Sequence, residues 1–220
     1  MAATPNIVVI DYESGNLRSV AKALETAGVS PVVTSDPAVI AKAHALILPG
    51  VGSGPAAMAA LEKRALVQPI REYAKSGRPF LGICLGLQLF LDRTEEGDAP
   101  CLGIVQGQVR RLPGGSLDGM PVGMKIPHMG WNSVHLGSRH PILDGVVQDS
   151  YFYFVHSYYA QPLDASAVAG STDYGVTFCS ILAQDNLMAT QFHPEKSGAM
   201  GLRIYHNFVT MAMKQSAISF

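Results

Sequence analysis

Two short segments hold the residue types that nucleophilic catalysis needs. Residues 80–91 read FLGICLGLQLFL, an apolar run that passes through G-x-C-x-G into a helix-like pattern. That is a nucleophile-elbow arrangement with cysteine in place of serine, and it makes Cys84 the candidate nucleophile. Gly82 and Gly86 are expected because side chains there would collide across a sharp strand-to-helix turn. The sulfur would then project at a helix start, where N–H groups and the helix dipole favour a thiolate. The N–H of Leu85 is placed to donate to an oxyanion. The bland alternative is a buried cysteine among small residues, a common fate for this residue type.

The second segment, ATQFHPEKSG at 189–198, supplies a base and a group to orient it. Pro194 biases His193 towards extended geometry. In an extended chain His193 and Glu195 would point the same way, so Glu195 can hold one ring nitrogen while the other faces a thiol. Alone, H-P-E is more readily an exposed loop; beside the cysteine elbow it becomes specific. A glycine turn, PGVGSG at 49–54, is either a backbone cradle for substrate or an ordinary tight connection. It is neither a dinucleotide fingerprint, since position 55 is Pro55, nor a phosphate loop, since no G-K-[ST] follows. The other histidines (44, 128, 135, 140, 156, 206) lack such a setting, with His128 and His156 the least settled. Cys101 and Cys179 read as structural.

The elements that must position these residues alternate in the first half. Strands are expected at 6–11, 31–34, 45–48 and 79–83. Helices are expected at 16–27, 36–43 with Asp36 as cap and Pro37 in the first turn, 56–75 interrupted at Pro69, and 86–91. Continuous apolar strands between helices argue for a mostly parallel sheet covered on both faces. The 49–54 turn would then share the carboxyl edge of that sheet with Cys84, where ligands bind in open α/β sheets. The second half changes to several turn-rich strands between 103 and 181, among them 151–159. A strand at 187–192 and a helix from about 198 to 214 follow. No repeat or linker appears, so one domain over 1–220 is expected.

Composition narrows the classes. Of 220 residues 48% are apolar, 22 are glycine, and the net charge is −1 with a pI near 6.6. That balance gives no reason to expect nucleic acid or an anionic membrane. Three irregularly spaced cysteines argue against a disulfide framework or a C-x-x-C zinc site. The N-terminus lacks the form of a signal peptide and no run is long enough to span a membrane, so a reducing, cytoplasmic setting is the expectation.

G-I-C-L-G-L-Q with a downstream H-P-E resembles the class I (triad) glutamine amidotransferases. Further blocks resemble one branch, the glutaminase subunits of imidazole glycerol phosphate synthases. They are IDYESGNLRSV at 10–20, LPGVGSG at 48–54, TEEG at 94–97, PHMGWN at 127–132, YFVHSYY at 153–159 and QFHPEKSG at 191–198. Glu13 departs from the glycine expected in D-Y-G-x-G-N, which puts that loop's conformation in question. The resemblance implies a flavodoxin-like open sheet with an antiparallel extension. It also implies a Cys84–His193–Glu195 triad and an oxyanion hole from the N–H groups of Val51 and Leu85. Glutamine would be held by Gly50, Gly52, Gln88, Glu96, Ser157 and Tyr158. Asn16, Trp131 and Lys196 would face a separate cyclase of (β/α)₈-barrel type in a heterodimer. No cofactor and no metal are implied. Rival readings are a glutaminase for vitamin B6, anthranilate or aminodeoxychorismate synthesis, a cysteine redox protein of similar fold, or a cysteine peptidase. PHMGWN and DYESGN favour histidine biosynthesis.

Overall fold

The computed structural model describes residues 5–13, 15–114 and 125–218. Ser14, within the DYESGN block, and 115–124, within the expected strand-rich stretch, lie outside the described residues. The first half runs β1 (Ile7–Ile10), α1 (Leu17–Thr26), β2 (Val32–Thr34), α2 (Pro37–Ala41), β3 (Ala45–Gly50), α3 (Gly54–Lys63), α4 (Val67–Ala74), β4 (Phe80–Cys84) and α5 (Leu85–Phe90). The second runs β5 (Arg93–Thr94), β6 (Ala99–Pro100), β7 (Gly107–Arg111), β8 (His128–Leu136), β9 (Ser150–His156), β10 (Tyr158–Pro162), β11 (Val168–Asp173), β12 (Thr177–Gln184), β13 (Leu187–Thr190) and α6 (Gly198–Ile218).

Strands order as β2-β1-β3-β4-β13-β12-β10-β7-β5-β6 in an open sheet. From β2 to β13 every neighbour is parallel; β12, β10 and β7 continue antiparallel. β11 branches from β12 to pair with β8, which forms an antiparallel pair with β9. The apolar runs are continuous in β1, β3 and β4 because both faces are covered. Successive residues divide between two cores. Ile7, Val9, Ile47 and Leu81 pack with Leu24 of α1 and Phe208 of α6. Val8, Ile10, Leu46 and Phe80 pack with Ile40, Met58, Leu61 and Ile70 of α2, α3 and α4.

Local chemistry sets the ends of the elements. Asp36 caps α2 by accepting from the Ala38 N–H at 2.8 Å. The expected 56–75 helix is two helices, and the break precedes Pro69. Ala65 takes a left-handed φ of 55°, and Pro69 sits in the first turn of α4, where a missing N–H costs nothing. The expected 151–159 strand divides at Ser157, because β9 pairs only with β8 while β10 joins the main sheet. The expected 187–192 strand stops at Thr190, whose hydroxyl turns back to donate to the Phe192 carbonyl at 3.0 Å.

Candidate active site

Cys84 ends β4, between β3 and β13, and its backbone holds φ 54° and ψ −105°, a strained conformation for a residue with a side chain. The elbow exists because its flanks are glycine. A Cβ on Gly82 would lie 2.9 Å from the Gly86 carbonyl carbon, across the turn. A Cβ on Gly86 would lie 2.0 Å from the Leu48 carbonyl oxygen of β3. α5 starts at Leu85, directly after the sulfur-bearing residue. Gly50 is the register partner of Cys84 on β3, so the 49–54 turn leaves the sheet beside the sulfur. A Cβ on Gly50 would meet the Tyr12 hydroxyl at 2.7 Å. That hydroxyl also donates to the Pro49 carbonyl at 2.9 Å and ties the turn's base to the core.

β13 brings the second segment alongside, with Thr190 paired to Ile83. His193 is extended, as expected, but Pro194–Lys196 forms a 3₁₀ turn, not an extended stretch. The turn, rather than strand alternation, brings Glu195 back: its Oε1 accepts from His193 Nδ1 at 2.8 Å. The pair is almost sealed, with side chains 2% and 1% exposed. Tyr205 of α6 donates to the other carboxylate oxygen at 3.5 Å. Burial, then the Glu195 charge, holds the Tyr205 phenol well above its ordinary range, so it remains a neutral donor. The His193 backbone is fixed by its N–H to the Tyr153 carbonyl at 3.0 Å and by Ser197 Oγ donating to its carbonyl at 2.7 Å. A Cβ on Gly201 would meet the Pro194 oxygen at 1.9 Å, so α6 docks this closely only with glycine there.

His193 Nε2 is buried, and Cys84, which lines the same cavity, is the side chain that interacts with the ring besides Glu195. Burial opposes a charge on this ring. Hydrogen bonding to Cys84 and Glu195 and their negative charge outweigh that and raise it to about 10. The direction favours a protonated imidazole, the form that can deliver a proton to a leaving group.

A cavity of about 310 Å³ opens over the sulfur. Val51, Gly52, Cys84, Leu85, Gln88, Glu96, Ser157, Tyr158 and His193 all line it, though they are scattered from one end of the sequence to the other. Of the residues expected to hold substrate, Gly50 alone does not line it; it lies buried under the turn. Glu96 reaches the turn by accepting from the Gly54 N–H at 2.7 Å. Asn16, Trp131 and Lys196 lie outside the cavity. Trp131 is 55% exposed and meets Tyr153 edge-on at 6.3 Å, and Lys196 Nζ sits 5.8 Å from the same ring. Glu13 adopts φ 67°, the conformation for which glycine was expected, while pairing with Arg64.

Sequence reasoning missed Gln191, Tyr205, Tyr12 and the paired His128 and His156. His128 Nδ1 lies 3.0 Å from His156 Nε2, and His156 Nδ1 donates to the Tyr158 carbonyl at 2.9 Å. Asn132 Nδ2 donates to His128 Nε2 at 3.3 Å. The carbonyl can only accept, so each ring carries one proton, on Nδ1, and both are neutral. The only signal in the sequence was placement within PHMGWN and YFVHSYY.

The family Glutamine amidotransferase class-I matches residues 8–212. An imidazole glycerol phosphate synthase subunit HisH of Syntrophotalea carbinolica is 52% identical over 206 residues, 93% of this chain and 100% of that one. The subunit of the same name from Dehalococcoides mccartyi is 47% identical over 208 residues, 94% and 98% of the two chains. Among solved structures, a glutamine amidotransferase superposes with TM-score 0.70 at 17% identity, covering 93% of this chain and 98% of that one. PurLQS of Thermotoga maritima also gives TM-score 0.70 at 17% identity, covering 94% and 99%, so both support the fold. Elbow, base, cavity and family match converge: this chain belongs to the class I glutamine amidotransferases.

Proposed function

We propose that the chain is the glutaminase subunit of an imidazole glycerol phosphate synthase, releasing ammonia from glutamine for histidine biosynthesis. The observation that carries this reading is end-to-end identity of 52% to a subunit of that name. The buried His193–Glu195 pair beside Cys84 supports the chemistry.

In this reading the Cys84 sulfur attacks the side-chain carbonyl of glutamine and the carbonyl oxygen becomes anionic. The Leu85 N–H, at the start of α5, stabilises that oxygen, and Val51 on the adjoining turn supplies the second donor. His193 passes its Nε2 proton to the departing nitrogen, and ammonia leaves a cysteinyl thioester. The same nitrogen then takes a proton from water, whose oxygen attacks the thioester to give glutamate and restore the thiol. Glu195 keeps the Nδ1 proton in place and offsets the ring's charge throughout. Gln88, Glu96, Ser157 and Tyr158 hold the amino-acid end of the substrate, with Gly52 in the wall and Gly50 supporting the turn beneath it. No cofactor enters these steps.

Ammonia free in neutral water would be protonated and unreactive, so a sheltered route to a partner makes chemical sense. The proposed partner is a (β/α)₈-barrel cyclase in a heterodimer, docked against Asn16, Trp131 and Lys196, in the cytoplasm. Among the described residues no helix is long and apolar enough to cross a membrane. The Val51 nitrogen is joined to Gly50, a residue whose lack of a side chain lets that peptide take more than one orientation, and partner binding would bring the Val51 N–H towards the oxyanion. Glutamate release should therefore rise about 100-fold when cyclase and its ribonucleotide ligand are added, the value of one oxyanion donor. Equal rates with and without them would refute the gating; no hydrolysis under either condition would refute the function.

A further inference from the structure

Gln191 is fully buried just beyond β13, two residues before His193, and the steps above do not use it. Its surroundings fix which way its amide points. The Tyr158 backbone carbonyl can only accept, and Gln88 Nε2 donates to it at 2.7 Å. The same nitrogen gives its second proton to Gln191 Oε1 at 3.1 Å. With its oxygen turned to Gln88, Gln191 must turn its own NH₂ towards Cys84 Sγ, 3.7 Å away. Reversing both amides would set the Gln88 oxygen against the Tyr158 carbonyl; reversing one would set like groups face to face. Gln88 therefore orients Gln191 as well as facing the cavity.

We propose that Gln191 is a donor to the nucleophile, its side-chain N–H stabilising the anionic sulfur of Cys84 before attack. The inference rests on the reading of Cys84 as nucleophile. Besides His193, the sulfur also meets the Val155 carbonyl at 4.0 Å, which can accept from a thiol but offers nothing to an anion. Gln191 has the opposite preference. A hydrogen bond to a charged group is among the stronger ones, and in a buried site no water replaces it. The donor thus favours the attacking form over the resting thiol and fixes the sulfur's direction.

The test uses the full chain, iodoacetamide as probe, and mass spectrometry to follow alkylation at Cys84. Gln191→Met keeps the volume and removes the donor; Gln191→Glu keeps the shape and turns an acceptor to the sulfur. Met should slow alkylation at pH 7 by about tenfold and Glu by more, the lower range for a charged hydrogen bond. Moving to pH 8 should recover most of the Met loss, because the defect lies in the population of the anion. The kcat for glutamine should fall in step, with KM within about twofold. A merely structural role would lower activity without moving the pH profile. If the Met variant does not fold by circular dichroism, the Glu variant carries the test. Wild-type profiles in a folded variant overturn this inference alone. Failure of glutamine to protect wild-type Cys84 from alkylation instead overturns the nucleophile reading, and this inference with it.

Discussion

Lowering the pH from 7 to 5 should destabilise the protein through the buried His128–His156 pair. Burial depresses both rings, His156 to about 3 and His128 to about 4, against about 6.5 for the unfolded chain. As pH falls through 6.5 the unfolded chain takes up protons that the folded chain refuses, so stability drops from there down to the folded values. At pH 5, His156 alone costs about 2 kcal/mol, from 1.5 pH units at 1.36 kcal/mol each. His128 is hydrogen-bonded to His156 and does not titrate independently of it, so it adds only about 1 kcal/mol. His193, raised to about 10, works the other way. It binds its proton before the unfolded chain does, so its contribution is full below pH 6.5 and is lost as pH climbs towards 10. It offsets the loss by under about 1 kcal/mol over the same window. The net, roughly 2 kcal/mol, is a substantial part of the 5–15 kcal/mol typical of a domain. Urea titrations at pH 7, 6 and 5 measure it, with m constant. His156→Gln, which cannot titrate, should flatten the slope while lowering stability at pH 7. A wild-type protein equally stable at pH 7 and 5, or an unchanged slope in the variant, would refute the assignment of neutral rings.

Other consequences follow from the same geometry. Cys84→Ala should abolish glutamine-dependent synthesis in the complex and spare synthesis from added ammonium; loss of both in a folded complex would overturn the proposed roles. Gly86→Ala forces a carbon against the Leu48 oxygen, and should cost about 3 kcal/mol or more of stability by denaturant titration, together with the elbow. Tyr205→Phe leaves the buried Glu195 oxygen without its donor; a loss of about 1–2 kcal/mol and a several-fold lower kcat are expected. Glu13→Gly removes a left-handed non-glycine residue and should raise the thermal midpoint, because the exposed pairing with Arg64 is worth less than the strain relieved; a lower midpoint would refute this.

The parallel half of the sheet was legible because burial on both faces leaves one clear mark, a short unbroken apolar run. β1, β3 and β4 each carry it. Cys84 was legible because so tight an elbow demands Gly82 and Gly86, and steric demand writes directly into residue type. The division of β9 from β10 was not legible. Residues 150–162 remain extended almost throughout, and only long-range pairing decides that the chain changes sheets at Ser157. The 3₁₀ turn at Pro194–Lys196 escaped for a related reason: the pairing of His193 with Glu195 was foreseen, but a two-residue spacing is compatible with either backbone. Gln191 and Tyr205 carry no local signature, since a buried polar side chain is explained only by its partners.

The place of β13 has a consequence for biosynthesis of the molecule itself. The strand that seats the imidazole enters between β4 and β12 although it follows both in chain order. While a ribosome is still translating the antiparallel strands, the thiol is already made but its base does not yet exist. With the roles proposed above, a nascent chain cannot spill ammonia, and deamidation begins only when the central gap of the sheet has been filled.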